Sequence, residues 1–420
     1  MNPTVNLTQS ERALHNGELG AAKACAMRIV VRSAELLGAR RLIDVVSSHI
    51  DGCLYHGDSG VFFLEHLVTL GGEVAIPSTL NIGAVDTQNP GIIRADIRAQ
   101  TMARRLMTAH TALGCEPTWT CAPYQTGHRP ALGEQIAWGE SNAVVFANSV
   151  LGARTNRYGD LLDICMAIVG KAPYYGLHTD TARRATIRVD CSELSASLTS
   201  IAAFYPVLGA WLGRSLGEDV AVIDGLPESI PEDSLKALGA GAAATGSVGL
   251  FHIAGVTPEA PDVATACQNR VPDESILVTP AMIRATRDML DTAASDDFDC
   301  VALGSPHFSK VECGEFEKIL NGRRAQKPVY ICTSRAVFDA LKESGRADAL
   351  QSQGVIFVVD TCVIATPILP GDGGVMMTSS AKFAHYGKGN TGYDTIFATL
   401  SECVESAVSG KVQRQAALWQ

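Results

Sequence analysis

No run of lysine or arginine occurs in the 420 residues, and 34 basic against 44 acidic side chains leave a formal charge of −10. Nucleic acid and anionic membrane surfaces are bound through basic patches that displace counterions, so neither is an expected partner. No basic-then-apolar leader opens the chain. Thr8-Gln9-Ser10-Glu11 reads instead as a capping box that starts a helix. Twelve cysteines are present, but the short spacings of a secreted disulfide framework are missing. Reduced thiols and a cytoplasmic location follow as expectations. No glycine-rich phosphate fingerprint follows a first strand, which argues against a nucleotide enzyme. Internal repeats, low-complexity tracts and coiled-coil heptads are absent too. The stretch 237–258 carries no charge apart from His252 and is long enough to cross a bilayer. It is rich in Gly and Ala, poor in Leu and Ile, and broken by Thr245-Gly246-Ser247, so it reads as a buried helix, a turn and a buried strand over 248–253.

What is there is an alternation of helical and strand periods, and the expected class is α/β. A helix over 20–37 precedes a strand over 41–46, then come a helix near 61–70, a strand at 73–76 and a long amphipathic helix over 94–113. Short strands are expected at 117–121 and 143–147. Composition changes near 184–189, where an alternating strand precedes a helical region over 194–216, and 258–272 is loop-rich enough to be a connection. Strands at 300–303, 329–332 and 355–359 alternate with helices at 280–294, 310–320 and 336–344, which implies a small parallel sheet. The domains are expected at 1–185, with 371–420 packing back onto it, at 186–275 and at 276–370.

Candidate chemistry lies where strands end, the usual ligand edge of parallel sheets. Cys121-Ala122-Pro123-Tyr124 and Asp360-Thr361-Cys362 each set a thiol beside Pro or Thr at such an end. Thiolates hold iron–sulfur clusters, and an iron not held by cysteine binds substrate oxygens as a Lewis acid. On their letters alone the two cysteines read more readily as small buried hydrophobes. Polar residues follow other strands: His49 and Asp51, then Ser78, Thr79 and Asn81, then the donor-rich run from Ser149 to Asn156. Within that run Arg154 suits bidentate recognition of a carboxylate, or the bracing of a loop. Gly304-Ser305-Pro306-His307, Cys332-Thr333-Ser334 and Asp360-Thr361-Cys362 share one edge if their strands are parallel. The hydroxyl-rich stretch from Thr378 to Gly387, with Ser380, Lys382 and His385, suits an anionic ligand or a helix cap.

Taken in order with Gly17-Glu18-Leu19-Gly20 and the run from His252 to Ala260, these stretches span nearly the whole chain. As a set the chain resembles the large subunit or large domain of aconitase X, the iron–sulfur dehydratase branch of the aconitase superfamily. The resemblance implies several α/β domains around a central cleft that holds an iron–sulfur cluster or iron. It implies a hydro-lyase acting on a small hydroxy acid: cis-3-hydroxy-L-proline, giving Δ1-pyrroline-2-carboxylate, or mevalonate 5-phosphate. The family's cluster cysteines carry over onto Cys121 and Cys362. The cysteine usual in its Gly-Cys-Pro-His motif is Ser305 here. Cys332, at the carboxyl end of its strand, is the expected third ligand, with Cys115, Cys313 and Ser305 as rivals. Cys300 begins a strand and should point to the far edge. The family also requires a small swivelling domain that carries a serine base. Nothing in this chain resembles it, so a separate partner subunit is expected.

Within the chain, Ser149, Arg154, Thr155 and Asn156 would grip the substrate carboxylate, Ser78, Thr79 and Asn81 its ring nitrogen or hydroxyl, and Ser380 would also face substrate. Lys382 would add positive charge, and His49, Asp51 and His307 would relay protons. Arg154 and Lys382 are the chief cations of these loops, which favours hydroxyproline over a phosphate dianion. Two other classes stand beside this reading: a hydrolase using Cys121 or Cys362 with His307, and a non-catalytic scaffold subunit.

Overall fold

A computed structural model describes residues 4–419, which separate into two units: one runs to Val85 and resumes over Ala95–Arg184, the other comprises Asp86–Arg94 and the chain from Ala185. The first unit opens with the expected capping box. Glu11 N–H donates to Thr8 Oγ1 at 3.3 Å, and the Glu11 carboxylate accepts from Thr8 N–H at 2.7 Å. The helices Ala21–Leu36, Asp58–Thr69, Ile97–Ala112 and Leu162–Val169 bury Met27, Val30, Leu64, Leu67, Leu106, Ile164 and Ile168 in one core. Each such side chain contributes about 1.5–3 kcal/mol on leaving water. Around them lie five short strands. β1 (Leu42–Asp44) pairs antiparallel with β5 (Lys171–Pro173), while β2 (Ser48–Ile50) runs parallel between β3 (Ser78–Leu80) and β4 (Ala137–Trp138).

Three expected strands of this unit are not formed. Residues 143–147 lie in a helix, Ser141–Phe146, which widens into a π turn at Ala147–Leu151. The run is apolar on every side, and periodicity does not separate a short buried helix from a strand. Its start is fixed by Glu140, whose carboxylate accepts from Ala143 N–H at 2.6 Å. Segments 73–76 and 117–121 make scattered backbone bonds, among them Val74 N–H to Leu113 O, Ala75 N–H to Ala167 O and Thr120 N–H to Leu80 O, with no ladder.

The second unit holds two wholly parallel sheets. β6 (Ile187–Asp190), β7 (Ala221–Asp224), β8 (Phe251–Ile253) and β9 (Glu274–Leu277) stand in the order β8-β7-β6-β9. The helices Phe204–Leu216 and Glu232–Thr245 pack so closely that a Cβ on Gly209 would lie 2.1 Å from the Leu238 carbonyl oxygen. This explains the Gly and Ala of the long uncharged stretch: they let two helices touch backbone to backbone. No described helix is long and apolar enough to cross a membrane.

The second sheet is β12-β11-β10-β13-β14, built from β10 (Cys300–Phe308), β11 (Val329–Thr333), β12 (Val355–Val359), β13 (Gly374–Thr378) and β14 (Tyr393–Phe397). The tail, expected with the first domain, belongs to the second unit. It supplies β13 and β14, which cover the open flank of β10, pair Met376 with Cys300, and bury Met377 and Ile396 in the core of this sheet. An open row of N–H and C=O groups on β10 is thereby paired. The segment 86–94 also belongs here: Asp86 Oδ2 accepts from Val359 N–H at 2.8 Å, and Arg94 Nη1 donates to the Gly371 carbonyl at 2.8 Å.

Candidate functional site

In the first unit three of the polar residues expected to follow strands, His49, Ser78 and Thr79, lie in strands themselves. β2 sets His49 opposite Thr79 on β3 and opposite Trp138 on β4, so ladder register alone brings the three side chains to one face. His49 Nδ1 shares a hydrogen bond with Thr79 Oγ1 at 2.8 Å, and the same oxygen meets His128 Nδ1 at 2.7 Å. The Trp138 ring lies 5.6 Å from the His49 ring and 5.3 Å from that of His128. Two residues further along, Asn81 Nδ2 donates to the Asp51 carboxylate, and Asp51 N–H donates to Asp163 Oδ2 at 2.6 Å. Burial shifts these groups. It holds His49 well below the ordinary histidine range, with His128 adding to the effect and the Thr120 carbonyl opposing it. It brings His128 down to about 4 and lifts Asp163 to about 6. Both imidazoles are neutral at pH 7.

Several atoms of this cluster have no hydrogen-bond partner among the described residues: His49 Nε2, His128 Nε2, Trp138 Nε1, Asn81 Oδ1 and Asn142 Oδ1. His49, Trp138 and Asn142 are wholly buried, and Asn81 is 3% exposed. An unsatisfied buried polar atom costs about 1–3 kcal/mol, and so dense a group of them marks a place built for a polar ligand. Asn142 also donates to the Cys121 carbonyl and the Tyr124 hydroxyl, both at 3.1 Å, which ties the Cys121 loop to a buried helix. Sequence reasoning missed His128, Trp138, Asn142 and Asp163. The strand parity of His49 with Asp51 and of Thr79 with Asn81 was the available signal.

The run from Ser149 to Asn156 has largely structural partners. Thr155 Oγ1 accepts from Trp138 N–H at 3.1 Å, and Asn148 bonds Thr155 N–H at 3.0 Å and its carbonyl at 2.8 Å. Asn156 donates to Tyr175 O and accepts from Leu177 N–H, both at 2.8 Å. Arg154 pairs with the exposed Asp180 at 2.5 Å. Ser149 is buried within the π turn, and Ser78 donates to the Ile76 carbonyl at 2.8 Å.

The remaining expected residues lie in the second unit. All strands of its five-stranded sheet are parallel, so the ends of β10, β11, β12 and β13 share one edge, as expected. Ser305 and His307 end β10, Cys332 is the penultimate residue of β11, Cys362 stands three residues past β12, and Ser380 and Lys382 follow β13. His307 Nε2 bonds the Thr361 carbonyl at 3.1 Å, and burial brings its pKa down to about 4. Ser380 donates to the Ser305 carbonyl and accepts from Phe383 N–H at 3.1 Å, which caps the helix Ala381–Thr391. Gly304 has φ +94, and a Cβ there would stand 2.0 Å from the Cys332 carbonyl oxygen, so only glycine lets β10 come this close to the Cys332 peptide.

Cys332 lies off the core face that holds Val329 and Ile331, and with Cys362 it gives this edge two buried thiols. Two soft donors suit an iron–sulfur group, but with Ser305 in place the edge offers no third. Among the described residues no set of three His, Cys, Asp or Glu side chains is grouped to hold a metal ion. All twelve cysteines are free thiols.

Comparison with known proteins agrees along the whole chain. Family models match in succession: the aconitase X first domain over residues 4–181, the second domain over 184–288 and the third domain over 298–409. A cis-3-hydroxy-L-proline dehydratase of Pseudomonas aeruginosa is 42% identical, over 96% of this chain and 70% of its own length. The phosphomevalonate dehydratase large subunit of Methanothermobacter thermautotrophicus is 37% identical, over 94% of this chain and 96% of its own. The crystal structure of Thermococcus kodakaraensis aconitase X in its holo-form superposes with a TM-score of 0.86 at 33% identity, covering 96% of this chain and all of that one. The chain belongs to the aconitase X family.

Proposed function

We propose that this chain is the catalytic large subunit of a cytoplasmic hydro-lyase that removes water from cis-3-hydroxy-L-proline to give Δ1-pyrroline-2-carboxylate. The observation that carries the reading is the orphaned donor–acceptor set around His49, Asn81 and Trp138, which calls for a small, densely polar ligand. Higher identity to a cis-3-hydroxy-L-proline dehydratase supports the choice of substrate. So does the scarcity of cations for a phosphate dianion, since Arg154 already meets Asp180. His307 commits its Nε2 to the Thr361 carbonyl, which weighs against a thiol–histidine hydrolase. Free thiols throughout support a reducing compartment.

The cofactor we assign is an iron–sulfur cluster or iron, for which the second unit's edge offers the Cys332 and Cys362 thiolates. When bound, such a cluster supplies Lewis acidity at an iron left open to oxygen ligands. The chain's own residues do the rest. Asn81 and Trp138 orient the substrate through their unpaired Oδ1 and Nε1–H, and the His49 and His128 Nε2 atoms exchange hydrogen bonds with it. Asp163 keeps Asp51 in place through its backbone N–H. Nearly full coverage of a protein named a large subunit supports a separate small subunit, which would carry the swivelling domain.

That same coverage favours a second reading, dehydration of mevalonate 5-phosphate. Feeding each compound to the complex co-expressed with its small subunit under anaerobic conditions separates the two. Pyrroline carboxylate from hydroxyproline is expected, and anhydromevalonate phosphate alone would overturn the first reading.

A further inference from the structure

One hydroxyl stands between two imidazoles, and proton counting there reaches beyond the assignment of a substrate. Thr79 Oγ1 has two hydrogen-bond partners among the described residues, His49 Nδ1 at 2.8 Å and His128 Nδ1 at 2.7 Å. A hydroxyl carries a single proton, so it donates to one nitrogen and must accept from the other. The ring that accepts at Nδ1 has its own proton on Nε2, and the ring that donates from Nδ1 leaves Nε2 bare. Two Nδ1–H groups on one oxygen would leave the hydroxyl proton without an acceptor, at a residue 3% exposed. Two bare Nδ1 atoms would compete for one proton. The arrangement that satisfies every atom has the rings in opposite tautomers.

We propose that Thr79 is a positioning residue that locks His49 and His128 into opposite tautomers, so that their two unpartnered Nε2 atoms face the ligand as one hydrogen-bond donor and one acceptor. Both Nε2 atoms lack partners, as do the Trp138 N–H donor and the Asn81 carbonyl acceptor beside them. With the Asn142 carbonyl of the same cluster, two donors and three acceptors are left unpaired, and such a set selects a small ligand that carries both kinds of group, as a hydroxy amino acid does with its carboxylate, hydroxyl and ring ammonium. The choice of ligand rests on the hydro-lyase reading; the tautomer lock does not.

The test uses the full chain with its small subunit, labelled with 15N-histidine. His49→Asn and His128→Asn identify the two rings by the signals they remove. Long-range 15N–1H spectra at pH 7 should show one ring protonated at Nε2 and the other at Nδ1. Thr79→Val should abolish the lock and leave both rings as tautomer mixtures, and Thr79→Ser should restore the opposite pair. In turnover, Thr79→Val should lower kcat/KM for cis-3-hydroxy-L-proline about tenfold, the scale of one hydrogen-bonded alignment of about 1.4 kcal/mol, with Thr79→Ser recovering most of it. Both rings protonated at the same nitrogen, or a Thr79→Val spectrum like the wild type's, would overturn the proposal. Opposite tautomers in a wild type that does not turn over hydroxyproline would leave the lock standing and remove the substrate.

Discussion

Lys236 is a wholly buried ammonium, and its removal is the most informative perturbation of the second unit. It sits 1% exposed in the helix Glu232–Thr245, 2.5 Å from Glu312, 2.9 Å from Asp233 and 3.1 Å from the His307 carbonyl. Ser309 completes the knot: its hydroxyl donates to Asp233 at 2.7 Å and its N–H to Glu312 at 2.8 Å. Burial alone would lower the lysine's pKa, but the two carboxylates outweigh it and raise it; burial raises that of Glu312 against the pull of Lys236. Lys236→Met removes the ammonium from between two carboxylates, a change that typically costs about 3–5 kcal/mol. At about 2–4 °C per kcal/mol for a unit of this size, the second unit's thermal transition should fall by roughly 6–20 °C in calorimetry. Without Lys236 the Glu312 pKa rises further. A carboxyl whose folded pKa exceeds its unfolded value binds more protons when folded, so stability is lost as pH rises through that interval. The variant should therefore lose more stability between acid and neutral pH than the wild type, and Lys236→Met combined with Glu312→Gln should recover much of the loss. A cost below about 1 kcal/mol with an unchanged pH slope would refute the claim that this lysine neutralises a half-buried acidic pair.

Other outcomes follow from the same geometry. Asp163, lifted to about 6 by burial, should make the first unit less stable as pH rises from about 4 to about 6, and Asp163→Asn should flatten that slope at a cost of about 1–3 kcal/mol, read by urea titration across that range. Gly139→Ala places a Cβ 2.7 Å from Asp163 Oδ2 and 3.0 Å from Asp51 Cβ, so it should cost about 1–3 kcal/mol and disturb turnover through Asp51. Iron and sulfide analysis of anaerobically purified Cys332→Ser should show reduced loading, and unchanged loading would rule that thiol out as a ligand. Arg154→Lys should raise KM about tenfold while leaving iron content alone, because lysine has no planar fork for a carboxylate; normal kinetics would leave Arg154 a structural role such as its ion pair with Asp180.

The parallel edge of the second unit was legible because three strand–helix repeats with polar strand ends leave little topological freedom. Other features depended on quantities that a string of letters does not carry. The tail's place beside β10 rests on a ladder that pairs Met376 with Cys300, and periodicity within the tail does not reveal which strand it will join. The helix at 141–146 was hidden because burial on all sides erases period. Most telling is the group around Thr79. His49, Thr79 and Asn81 stood out as polar letters after apolar runs, whereas His128 lies on a loop with no pattern of its own and joins them through one hydrogen bond to Thr79. Periodicity reports which residues face a core, and it is silent about which polar atoms inside that core are left unpaired. His49 Nε2, Trp138 Nε1 and Asn81 Oδ1 are such atoms. A fold that leaves them so forgoes about 1–3 kcal/mol at each, and a ligand that satisfies them recovers that free energy as binding and orientation.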